Sequence, residues 1–62
     1  MEVKIARIRK GLTQEQLRGI VGISPQTLVA IEKGQYQKVS ITLAKKLAKA
    51  LDITVEELFL KD

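Results

Sequence analysis

Apolar side chains return every three or four positions along most of this chain, and short polar or glycine-containing stretches separate the runs. The pattern is plainest in 41–51. There Leu43, Ala44, Leu47, Ala48 and Leu51 form one stripe while Lys45, Lys46 and Lys49 occupy the opposite side. That spacing belongs to a helix with one buried face. Residues 14–21 offer Leu17, Ile20 and Val21 to the same core, and residues 25–33 offer Leu28 and Ile31. No alternating β-branched run of useful length argues for a strand. Start and stop signals sharpen the boundaries. Thr13-Gln14-Glu15-Gln16 and Thr54-Val55-Glu56-Glu57 read as capping boxes, a hydroxyl at the cap and Gln or Glu at the third helical position. Ser24-Pro25 is a hydroxyl cap followed by a proline whose missing N–H costs nothing there, and Ser40 can cap the next segment. Gly11 and Gly34 stand where helix ends need a left-handed residue. Five helices are predicted, near 2–10, 14–21, 25–33, 41–51 and 55–60. The fold class is all-α.

Composition narrows the function more than the fold. Sixty-two residues without a linker or a low-complexity stretch make one compact domain spanning 1–62. Cysteine and histidine are both absent, which removes disulfides, thiolate and imidazole metal sites, and Cys–His or Ser–His–Asp catalysis. Glu56 and Glu57 are helical neighbours whose side chains diverge by about 100°, so they cannot work as a facing acid–base pair. No enzyme activity, cofactor, metal or small-molecule ligand is expected. Lack of cysteine fits a reducing cytosol, and a cytoplasmic location is expected. No apolar run approaches the length of a membrane span. The lysine side of 41–51 reads as a solvated face in preference to a membrane-binding one. Charge is uneven: residues 1–49 carry ten basic and three acidic side chains, whereas 50–62 carry one basic and four acidic. A basic body with an acidic tail suits a polyanionic partner such as nucleic acid.

Residues 14–33 are the informative stretch. A capped two-turn helix ends at Gly22, Ile23 and Ser24 follow, and a second capped helix begins at Pro25. Helix, short glycine-containing turn, helix is the unit whose second helix enters the DNA major groove. With Leu28 and Ile31 facing inward, Gln26, Val29, Ala30 and Lys33 form the outward row. Glutamine can bond the N6/N7 edge of adenine and small apolar groups can meet a thymine methyl. The alternative is a mildly apolar row that packs on a protein partner; the surrounding pattern favours DNA.

That pattern resembles the Cro/repressor (XRE-like) helix-turn-helix family over nearly the whole chain. Gly11-Leu12-Thr13-Gln14-Glu15-Gln16-Leu17 resembles the start of the family's second helix. Gly22-Ile23-Ser24-Pro25-Gln26-Thr27-Leu28 resembles its turn and the start of its recognition helix, and Ile31-Glu32-Lys33-Gly34 the end of that helix. Lys46-Leu47-Ala48-Lys49-Ala50-Leu51 and Val55-Glu56-Glu57-Leu58-Phe59 resemble the fourth and fifth helices. The resemblance implies a repressor-type five-helix fold. It places Pro25, Gln26, Thr27, Val29 and Ala30 against bases or nearby backbone, and Gln14, Lys33, Gln35, Tyr36 and Lys38 along the phosphates. It pairs Arg7 with Glu32 as a bridge between the first and third helices, a structural role preferred here over direct DNA contact for Arg7. It also nominates Val55, Leu58, Phe59 and Leu60 as a dimer surface, though Leu58 and Phe59 serve equally well as core.

Three departures stand out. Arg18 occupies a position where the family usually has a small residue, the loop from Gln35 to Val39 lacks a proline common there and is one residue longer, and Ile5 and Ile8 add apolar surface to the first helix. The expected function is a sequence-specific double-stranded-DNA-binding transcriptional regulator of a bacterium or phage, a repressor acting as a homodimer on an inverted repeat. The alternative is a protein-interaction module of the same fold, an antitoxin or regulator partner that docks through the outward row or the Ile5/Ile8 patch.

Overall fold

The computed structural model describes residues 2–37 and 39–60, with Leu60 described in its backbone only. Five helices follow one another: α1 (Val3–Arg9), α2 (Gln14–Val21), α3 (Pro25–Glu32), α4 (Ile41–Leu51) and α5 (Glu56–Leu60). No strand occurs among the described residues. The caps do what their residue types allow. Thr13 Oγ1 accepts from Gln16 N at 3.0 Å while Gln16 Oε1 accepts from Thr13 N at 2.9 Å, a closed capping box. Ser24 Oγ accepts from Thr27 N at 3.2 Å and Ser40 Oγ from Leu43 N at 3.0 Å. Thr54 Oγ1 accepts from Glu57 N at 3.0 Å ahead of α5, which is wound as a π-helix.

The helices end alike. After α1, α3 and α4 two backbone N–H groups turn back onto the last helical carbonyls, as in Gly34 to Ile31 and Gln35 to Ala30 at 2.9 and 3.0 Å. The turning residue is Gly22 after α2 (φ 80°) and Gly34 after α3 (φ 87°), but Asp52 after α4 (φ 58°). Aspartate is among the few L-residues that visit this region as single residues.

One core joins the helices. Val3, Ala6, Leu17, Val21, Leu28, Ile31, Leu47, Ala48, Leu51 and Leu58 are buried and contiguous. α2 packs on both α3 and α4, and α1 packs on α3. Ile20 departs from expectation: it is 60% exposed. Leu17 and Val21, four apart, set the inward line of α2, and Ile20 lies about 80° round the helix from it, on a flank that no element covers.

Candidate nucleic-acid interface

α2, the turn Gly22–Ser24 and α3 form the helix-turn-helix. The two helices are fixed together by Leu17, Val21, Leu28 and Ile31, all buried. A polar clasp ties α1 to both. Arg7 Nε donates to Glu32 Oε2 at 2.6 Å and Arg7 Nη2 lies 3.5 Å from Glu32 Oε1. Arg7 Nη1 donates to the Leu12 carbonyl at 2.9 Å. Gln14 Nε2 donates to Glu32 Oε1 at 2.9 Å. The Arg7 and Glu32 side chains are 11% and 5% exposed. A carboxylate so placed needs its cation, because an unpaired charge there would be strongly disfavoured. The geometry gives Arg7 three donors within the protein and leaves little of it to face outward.

On the far side of α3 from the core, Gln26, Val29 and Lys33 are exposed and Ala30 is half-buried. Pro25 is exposed at the start of the helix and Thr27, half-buried, shares a 2.8 Å hydroxyl–hydroxyl bond with Ser24. Of these residues Lys33, at the far end of α3, carries the positive charge. Gln14 lies on the same molecule at the start of α2, with its amide nitrogen engaged to Glu32. Of the loop residues, Gln35 is exposed and Tyr36 is half-buried, its ring meeting Phe59 edge-on at 5.0 Å and 88°. Lys38 lies outside the described residues.

Two further residues belong to this face. Arg18, half-buried, lines a shallow depression with Gln14, Glu15, Pro25 and Leu28 where α2 meets α3. Its position beside the start of α3 shows how a long side chain is accommodated there: it lies at the edge of the helix pair, outside the core. Gln37, exposed in the α3–α4 loop, lines a second depression with Gln26 and Gln35. Nothing in the local sequence marks Gln37, because its placement depends on how the loop folds back on α3.

The nominated dimer residues divide. Leu58 is 2% exposed and belongs to the core, so it is not available to a partner; α5 has to bury one leucine to close the end of the bundle. Val55 and Phe59 are half-buried against that core. The side chain of Leu60 lies outside the described residues. Ile5 and Ile8 are 44% and 57% exposed on the outer side of α1.

Among the described residues no group of His, Cys, Asp and Glu is arranged to hold a metal ion, and no helix is long and apolar enough to cross a membrane.

A helix-turn-helix family profile matches residues 3–58, and the chain belongs to the XRE-type helix-turn-helix family of transcriptional regulators. Its relatives include an uncharacterised HTH-type transcriptional regulator of Methanocaldococcus jannaschii, 42% identical over 95% of this chain and 88% of that protein. The regulator YgzD of Bacillus subtilis is 45% identical over 94% of this chain and 86% of its own length. An HTH-type regulator of Archaeoglobus fulgidus is 41% identical over 90% of this chain and 79% of its own. Archaea and a bacterium are both represented, so the family does not confine the chain to bacteria and phage. No solved structure matches the chain significantly.

Proposed function

We propose that this chain is a sequence-specific double-stranded-DNA-binding transcriptional regulator that works in the cytoplasm as a homodimer on an inverted-repeat operator. The observation that carries the reading is the outward row of α3. A helix capped by Ser24 and clamped from behind by α1 and α2 exposes a glutamine, a valine and a partly covered alanine, ending in Lys33. Solvent alone gives no reason for that row, whereas a major-groove edge with its amide-matching and methyl groups does. Pro25, Gln26, Thr27, Val29 and Ala30 meet bases or adjacent backbone. Gln14, Lys33 and Lys38 meet phosphates, with Gln35 and Tyr36 in the loop beside them. Phosphate contacts set position and base contacts set sequence.

Size supports dimerisation. The Cα atoms span 26 Å along the longest axis, less than the ~34 Å between successive major grooves on one DNA face. Reading two half-sites therefore takes two copies, joined through Val55, Phe59 and Leu60. Repression is the simplest outcome, because a dimer seated on a promoter excludes polymerase without any further surface.

The test is selection from a randomised duplex pool followed by anisotropy titration at two salt concentrations. Enrichment of an inverted repeat with half-sites ~10 bp apart, and affinity falling steeply with salt, is the expected result. A second reading, an interaction module of the same fold, is favoured by the exposed Ile5 and Ile8 on α1. Weak, salt-abolished binding that enriches no sequence would overturn the first reading and favour this one.

A further inference from the structure

The loop after α3 begins fixed to the helix. The Gln35 N–H donates to the Ala30 carbonyl at 3.0 Å and the Gly34 N–H to the Ile31 carbonyl at 2.9 Å. One residue on, the Tyr36 ring is held against Phe59, and the Val39 N–H closes a turn onto the Tyr36 carbonyl at 3.1 Å. Gln35 and Gln37 thus leave the chain on either side of an anchored residue. Both are exposed, and with Gln26, Thr27, Ala30 and Ile31 they line an open depression of about 310 Å³ on the flank of the recognition surface.

The chemistry of that depression is specific. Its rim holds three primary amides, its floor is methyl-bearing, and no Lys or Arg among the described residues lines it. A phosphate is met best by cations. A primary amide instead carries a donor and an acceptor side by side, the complement of adenine N6/N7, and a methyl floor suits the C5-methyl of thymine. Anchoring at the Gln35 backbone and the Tyr36 ring reduces the ordering that binding must impose on this part of the loop.

We propose that Gln35 and Gln37 are base-reading specificity determinants. In this assignment the depression they share with Gln26 receives the major-groove edge of an A·T pair beside the pair read by Gln26. The thymine methyl lies against Ala30 and Thr27, and a loop glutamine bonds the adenine edge. This rests on the DNA-regulator reading, and it moves Gln35 from the phosphates to the bases.

The test uses the full chain and duplexes drawn from a randomised pool, selected in parallel with wild type, Gln35→Ala and Gln37→Ala. Thermal melts confirm that these exposed variants fold alike. Wild type is expected to enrich an A·T pair whose preference falls about tenfold in at least one variant, with the salt slope unchanged. Replacing that adenine by 7-deazaadenine should weaken wild-type binding, and replacing its thymine by uracil should do so too. The variants should lose less. Unchanged preference in both variants, or an equal loss on all duplexes with a shallower salt slope, would overturn the assignment and return Gln35 to the phosphates. If wild type itself enriches no sequence, the regulator reading falls and takes this one with it.

Discussion

Glu32 illustrates how one side chain can decide several things at once. Its carboxylate accepts from Arg7 on α1 and from Gln14 on α2 while standing on α3, so three helices share a single acceptor at low exposure. Arg7→Ala or Glu32→Ala is expected to cost ~3–5 kcal/mol, close to the whole stability of a small domain. Chemical denaturation should show this, with DNA affinity lost only in step with folding. Replacing both partners by apolar residues of similar volume should cost much less. Gln26→Ala should leave stability unchanged and relax preference at one base pair by ~1–3 kcal/mol; an unaltered operator preference would remove Gln26 from its assigned role. Gly19 is helical, and a Cβ added there meets nothing within 4 Å. Gly19→Ala should therefore stabilise by ~0.5–1 kcal/mol, read as a rise in Tm of several degrees.

Among the elements, α2 and α3 are each only eight residues long, too short to be stable alone. Their caps fix where they begin, and their contacts with α1 and α4 make them persist. For α5 the sequence allowed both a core and a dimer role, and the structure puts Leu58 in the core. Leu58 completes the core, and Phe59 steadies Tyr36 in the loop beside the recognition surface. Leu58→Ala is expected to cost ~2–5 kcal/mol. The loss should be independent of protein concentration, because the side chain belongs to the protomer's own core. A midpoint shift that vanishes at high concentration would instead assign Leu58 to a dimer contact.

For the molecule as a whole, charge and shape act together. The basic excess lies in residues 1–49 and the acidic one beyond them, and the net positive charge favours approach to a polyanion at long range. On the recognition row itself Lys33 is the one cation, and its loss should weaken binding to every duplex alike. Lys33→Ala should make the slope of log K against log salt shallower by about one, measured by anisotropy over a salt series. An unchanged slope would place Lys33 away from the phosphates. The Lys10–Asp52 pair, 3.7 Å apart and well exposed, contributes little on either count.

Short-range sequence signals account for the helical segments, their starts at Thr13, Ser24, Ser40 and Thr54, the all-α class and the inward faces of α3 and α4. Caps, left-handed ends and apolar periodicity act over five residues or fewer, so each is written where it operates. Arg7 and Glu32 are 25 positions apart, and their pairing was suggested by family resemblance, with no periodicity to mark it. Tertiary structure decided what depends on the angles at which helices meet. Ile20 is exposed because no element covers its flank of α2. Leu58 is in the core because α5 closes over it, and Gln14 reaches Glu32 because α2 crosses α3 there. Gln37 joins Gln26 because Tyr36, held against Phe59, folds the loop back along α3. Each of these needs a second element in place before the residue has a neighbour at all, and only packing supplies it.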